Sequence, residues 1–149
     1  MATKAHGNSR KREYTKPGSQ YLIHGGTGML QEEKLSYAIR GCVYEVFKQL
    51  GGGFLEKVYE NALLKELQAQ GLQAESQVAI NVIYKGAVVG EYVADLVVED
   101  KVILELKAQQ QLSKVSEAQL LNYLKATSVS IGMLVNFAYP RATIKRLVI

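Results

Sequence analysis

From Leu35 the apolar residues recur at 35, 38, 39, 42, 43, 46, 47 and 50, which traces one face of an α-helix. Gly51-Gly52-Gly53 stops it. A second helix is predicted from about Leu55 to Gln70, with Leu55, Val58, Tyr59, Ala62, Leu63 and Leu67 inward and Gly71 as its stop. The period then falls to two. Val78, Ile80, Val82 and Tyr84 alternate, Lys85-Gly86 makes a turn, and Val88 to Val98 forms a second strand. Glu99-Asp100-Lys101 reads as another tight turn before a third strand from Val102 to Ala108. A polar stretch, Gln109-Gln110-Gln111, leads to a helix at about Lys114–Ala126, and Ile131–Phe137 and Ile144–Val148 are the last strands. The order is ααβββαββ, an α/β fold. The first three strands should form an antiparallel meander. The helix between the third and fourth is long enough for a right-handed crossover, which makes that pair parallel and the sheet mixed, with helices on its faces.

Residues 1–28, rich in Gly, Ser, Thr and Lys, show no apolar period and are expected to be a disordered basic tail; residues 29–149 read as one domain. A chain of 149 residues with about half its side chains apolar can bury one sizeable core. The net charge of +4 invites a nucleic-acid reading, but the tail supplies all of it: Lys4, Arg10, Lys11, Arg12 and Lys16 face only Glu13. The remainder is neutral overall. The one cysteine, Cys42, excludes an intrachain disulfide and any Cys-based metal cluster, and its place in an apolar helical pattern suits a buried thiol. No apolar run approaches the roughly 20 residues of a bilayer span, and the N-terminus lacks the apolar segment of a signal peptide, so a soluble cytoplasmic protein with no membrane partner is expected.

Charges inside apolar strands carry the chemistry. Glu105 and Lys107, two apart in Val102–Lys107, project from one face, and Asp95 is the lone charge in Tyr92–Val98. An unpaired buried carboxylate costs several kcal/mol and needs a cation or a specific role. Two carboxylates and an ammonium on neighbouring strands suit a magnesium site with a lysine alongside. An exposed cross-strand Glu–Lys pair is the plain alternative for the two-residue spacing. Parity adds a condition. A two-residue turn would set Asp95 opposite Leu104 and away from Glu105, so the loop must hold an odd number of residues or the strands a bulge; a three-residue Glu99-Asp100-Lys101 loop, with Asp95 opposite Glu105, is expected.

Asp95 followed ten residues later by Glu105-Leu106-Lys107, across a hairpin, resembles the D…(D/E)xK signature of the PD-(D/E)XK nucleases. Gly53-Phe54-Leu55-Glu56-Lys57-Val58-Tyr59 resembles the element that names the GxxExxY family of that superfamily, and Gln119 and Tyr123 reproduce the Q-x-x-x-Y motif of RecB-type nucleases. The resemblance runs over about residues 31–149 and includes Tyr84-Lys85-Gly86, Gly90-Glu91-Tyr92, Glu117–Leu124 and Ile144-Lys145-Arg146. Ala94 stands where the superfamily's proline is common, and Phe47 where relatives often carry a histidine.

The resemblance implies a restriction-endonuclease-like fold and a DNA-cleaving nuclease using magnesium or manganese. By it, Asp95 and Glu105 would hold one or two metal ions, the Leu106 carbonyl would add a ligand, and Glu56 would supply a further acid from the helix before the sheet. Lys107 would orient the attacking water or stabilise charge developing on phosphorus. Glu56 shares a stripe with Tyr59, Leu63 and Leu67 and so is expected inward; the alternative is a carboxylate favoured by its helix's N-terminal dipole. Gln119 and Tyr123 lie off the Leu120-Leu121-Leu124 stripe, so a solvated Gln beside a half-buried Tyr competes with an active-site role. Tyr59 reads as core packing. A catalytically inactive nucleic-acid- or protein-binding module on the same fold is the second reading, favoured by the neutral domain, and a homodimer built on an exposed sheet edge is the third.

Overall fold

The structure, a computed structural model, describes residues 27–149. Most of the basic tail therefore lies outside the described residues, and the first helix starts at Thr27, before the apolar pattern does. That helix, α1 (Thr27–Leu50), is followed by α2 (Glu56–Ala69), β1 (Ala74–Tyr84), β2 (Ala87–Val98), β3 (Val102–Lys107), α3 (Lys114–Ala126), β4 (Ile131–Asn136) and β5 (Thr143–Val148). The five strands form one sheet in chain order. All neighbours are antiparallel except β3 and β4, which run parallel because α3 carries the chain back across the sheet. This is the mixed α/β architecture expected from the alternation of periods.

The sheet separates two cores. On one face Ile39, Val43 and Val46 of α1 and Tyr59, Leu63 and Leu67 of α2 pack on Leu96, Val98, Leu104, Leu106, Met133 and Val135. On the other, Leu120, Tyr123 and Leu124 of α3 pack on Val78, Ile80, Ala94, Ile103 and Leu134. Cys42 is buried in the first core, and Phe47 packs against that core as a partly buried apolar side chain.

α3 sits close on β4 because Gly132 has no side chain. A Cβ there would fall 2.9 Å from Leu120 Cγ and Cδ1. Gly132→Ala should therefore destabilise the protein by about 1–3 kcal/mol through overpacking. Urea denaturation checks this, and an unchanged midpoint would show that α3 moves aside freely.

Two turns set the register that matters for the site. Lys85 and Gly86, with φ of 48° and 79°, form a two-residue hairpin turn with both central residues left-handed. Glu99 and Asp100 are also left-handed, and Val98 pairs with Val102, so the loop is the three residues Glu99-Asp100-Lys101. The Glu99 carboxylate accepts from the Gln73 N–H at 2.8 Å and anchors that turn to the segment before β1.

β1 and β2 also exchange faces partway along. Ala74, Leu96 and Val98 belong to the α1/α2 core, but Val78, Ile80 and Ala94 belong to the α3 core. The pairs Ser76–Leu96 and Val78–Ala94 flank the crossing, and Gln77 between them is left-handed, with φ of 54°. For a non-glycine residue that conformation costs on the order of 1 kcal/mol, so the surroundings must hold it. Asp95 lies at the same level of β2.

Candidate active site

The β2–β3 ladder runs from Val98–Val102 to Leu96–Leu104, and the next rung would join Asp95 to Glu105. There the side chains replace the backbone bonds. The Leu106 N–H donates to Asp95 Oδ2 at 2.8 Å, and the Asp95 N–H donates to Glu105 Oε1 at 3.3 Å. Each carboxylate is thus fixed by the other strand's main chain, and the two acids meet where the strands part.

Burial and proximity make this pair electrostatically unfavourable when fully ionised. Glu105 is only 4% exposed, and burial, then the charge of Asp95, pushes its pKa up to about 8. Burial raises Asp95 as well, opposed chiefly by the hydrogen bond from Leu106. Lys107, two residues after Glu105 on the same face of β3, favours the ionised form of both acids. Its position is steadied by the segment at the end of β3. The Lys107 carbonyl accepts from the Phe137 N–H at 2.8 Å, and Asn136 clamps the Gln109 backbone through both its amide atoms, at 2.8 and 3.0 Å.

On α3, Tyr123 is buried rather than half-buried, the place that the reading competing with an active-site role gave it. It is buried with Leu120 and Leu124, while Leu121 is only partly covered, because the inward face runs through Ser116, Leu120, Tyr123 and Leu124. The Gln119 amide donates to the Tyr123 hydroxyl, and the charges of Glu105 and Asp95 reach that phenol and help raise its pKa, after burial. Tyr123 therefore borders the carboxylates from the α3 side, with Gln119 bonded to its hydroxyl.

Glu56 departs from expectation. It is exposed at the first position of α2, as are Leu55 and Val58 nearby, because the helix packs inward only from Tyr59 onward. Its charge still acts on Asp95, but that of Glu60 ranks above it. Glu60 is 5% exposed and bound by Gln77 Nε2 at 2.9 and 3.1 Å and by Lys57 Nζ at 3.0 Å. The pattern Tyr59, Glu60, Leu63 and Leu67 carries this acid on the buried stripe, a signal visible in the sequence once Glu56 is set aside. Tyr59 is core, as expected: it stacks on Phe137 with centroids 4.5 Å apart, and its hydroxyl donates to the Gly51 carbonyl at 2.6 Å.

Among the described residues no three His, Cys, Asp or Glu side chains form a ready-made metal cage. Two hard carboxylate donors whose repulsion already disfavours joint ionisation nevertheless fit a magnesium-like ion, which commonly takes one or two protein carboxylates and fills its shell with water and substrate phosphate. No described helix is long and apolar enough to cross a membrane.

Comparison with solved structures finds the crystal structure of SSO0001, with a TM-score of 0.51 and 19% identity, covering 80% of this chain. The match spans 60% of the length of that protein, and at this identity it speaks for the fold alone. Among curated proteins none matches. The PD-(D/E)XK nuclease superfamily matches residues 33–147, which takes in both cores, the five strands and the Asp95–Glu105–Lys107 cluster, and the chain belongs to that superfamily.

Proposed function

We propose that this chain is a magnesium- or manganese-dependent nuclease that hydrolyses phosphodiester bonds in DNA, of the GxxExxY type. The observation that carries the reading is the Asp95–Glu105 pair, a half-buried and a buried carboxylate held against each other's strand with Lys107 beside them.

Asp95 and Glu105 would hold the cation, with the Leu106 carbonyl and Glu56 as further ligands, and the cation would polarise the scissile phosphate and acidify a bound water. The protein's own part is positioning. The Leu106 N–H holds Asp95 in one orientation, so the acid needs little reorganisation when a phosphate arrives. Lys107 places a positive charge where negative charge accumulates on the phosphoryl oxygens. Gln119, bound to Tyr123 on α3, would reach the site from the α3 side. Glu60 keeps a second buried carboxylate behind Asp95, and its bonds to Gln77 and Lys57 hold that charge in place.

The test is a cleavage panel. Labelled single- and double-stranded DNA and RNA are incubated with the purified chain, with magnesium, manganese or EDTA. Metal-dependent cleavage of DNA supports the reading, and preferential cleavage of RNA changes the substrate. Absence of both cleavage and metal binding would leave the fold as a binding module.

A further inference from the structure

A groove beside the carboxylates lies between the outer half of the β1–β2 hairpin and the C-terminal half of α3. It has a volume of about 390 Å³ and is lined by Val82, Ile83, Tyr92, Asn122, Lys125 and Ala126. Tyr92 pairs with Ile80 across the hairpin, which places it on the α3 side of the sheet. Its ring leans on Tyr123, with centroids 5.7 Å apart and planes tilted by 50°. Gly90 lies alongside: a Cβ there would stand 3.4 Å from Tyr92 Cε2 and 3.6 Å from Val82 Cβ. The ring is braced on two sides yet remains 48% exposed.

Such an aromatic is costly to leave in water and inexpensive to use, since it loses little freedom when a planar group stacks on it. The polar groups of the groove are the Asn122 amide and the Lys125 ammonium, and no acid is among its lining residues. Asp95 follows Tyr92 by three residues of extended strand, about 10 Å. A chain of about one or two nucleotides spans that distance. A duplex keeps its base faces covered, so the occupant is an unstacked strand.

We propose that this groove is a base-stacking subsite for single-stranded nucleic acid next to the scissile phosphate, with Tyr92 taking the base face, Asn122 its edge and Lys125 the adjoining phosphate. The proposal rests on the nuclease reading for what the neighbouring site does, but its binding can be measured separately.

The chain has no tryptophan, so Tyr92→Trp introduces a single reporter. The full chain carrying it is titrated in EDTA with oligothymidylate, oligouridylate, an abasic strand of the same length and a DNA duplex. Base-bearing single strands should quench the reporter, and the abasic strand and duplex should not. The DNA and RNA arms show which sugar is accepted. Tyr92→Ala should weaken single-strand binding by about 10-fold and Tyr92→Phe should restore it, while Lys125→Ala should lower the salt dependence by about one ion. A control reporter, Tyr37→Trp, sits 80% exposed on α1 and should not respond. Equal quenching of both reporters, equal binding of the abasic strand, or wild-type affinity in Tyr92→Ala would overturn the subsite. Tyr92-dependent binding without cleavage in magnesium would retire the nuclease and keep the subsite; cleavage with binding indifferent to Tyr92 would do the reverse.

Discussion

Asp95→Asn and Glu105→Gln are each expected to stay folded and to lose metal-dependent cleavage, whereas Lys107→Ala is expected to keep metal binding and to turn over about 100-fold more slowly. The difference follows from the roles. The carboxylates supply the negative charge that attracts a divalent ion, and an amide supplies none. Lys107 contributes charge that matters most as the transition state forms, and 100-fold corresponds to about 2.7 kcal/mol. Stability should not suffer in the acid variants, because a close carboxylate pair with its Glu105 member buried and pressed towards neutrality loses repulsion when one member becomes an amide. Cleavage of labelled DNA, magnesium titration and thermal melting, run on wild type and the three variants after repeated purification, check all of this together. If wild type cleaves and all three variants match it, the activity belongs to another site or to a contaminant.

The metal-free protein should lose stability as the pH rises from about 5 to above 8. Glu105 has a folded pKa of about 8, above the value it has when unfolded. The folded state therefore holds a proton that the unfolded chain has released, and stability present at low pH is lost as pH climbs through the folded pKa. Asp95 is raised in the same direction. The loss should amount to a few kcal/mol at most, since about 1.4 kcal/mol accompanies each pKa unit and water entering the opened rung would relieve part of it. Both histidines of the chain, His6 and His24, precede the described residues, so the carboxylate pair dominates this pH range within the domain. Urea denaturation in EDTA at pH 5, 6.5 and 8 measures the slope, and Glu105→Gln should flatten it. A stability that rises with pH, or a slope identical in the variant, would contradict the buried-pair account. Magnesium should stabilise the protein more at pH 8 than at pH 6, because protons and metal compete for the same oxygens.

Much of this was legible in local pattern. The change from a period of 3.6 to one of two places the helices and strands, and the length of one loop decides that Asp95 comes level with Glu105. Asp95, Glu105 and Lys107 stand out because charges are rare in such strands. What stayed hidden depends on partners distant in the chain. The partner of the buried Glu60 carboxylate is Gln77, seventeen residues on, which adopts a left-handed conformation and turns its amide onto it. Tyr123 packs with Val78, Ile80 and Ala94 of β1 and β2, neighbours that lie outside α3. Glu56 and Glu60 differ by one turn of helix, and only the depth at which α2 begins to pack tells them apart.

The exchange of faces also divides the hairpin by how freely it can change over evolutionary time. The inner half is shared with α1, α2 and β3, and any alteration there disturbs the carboxylates directly. In the outer half, from Val78 to Val93, Val78 and Ile80 pack on the α3 core. Lengthening, shortening or redecorating that outer half would leave the inner scaffold in register, because the crossing at Gln77 and Asp95 separates the two. Substrate preference could thus diversify in this arm among related chains while the Asp95–Glu105–Lys107 arrangement stays fixed.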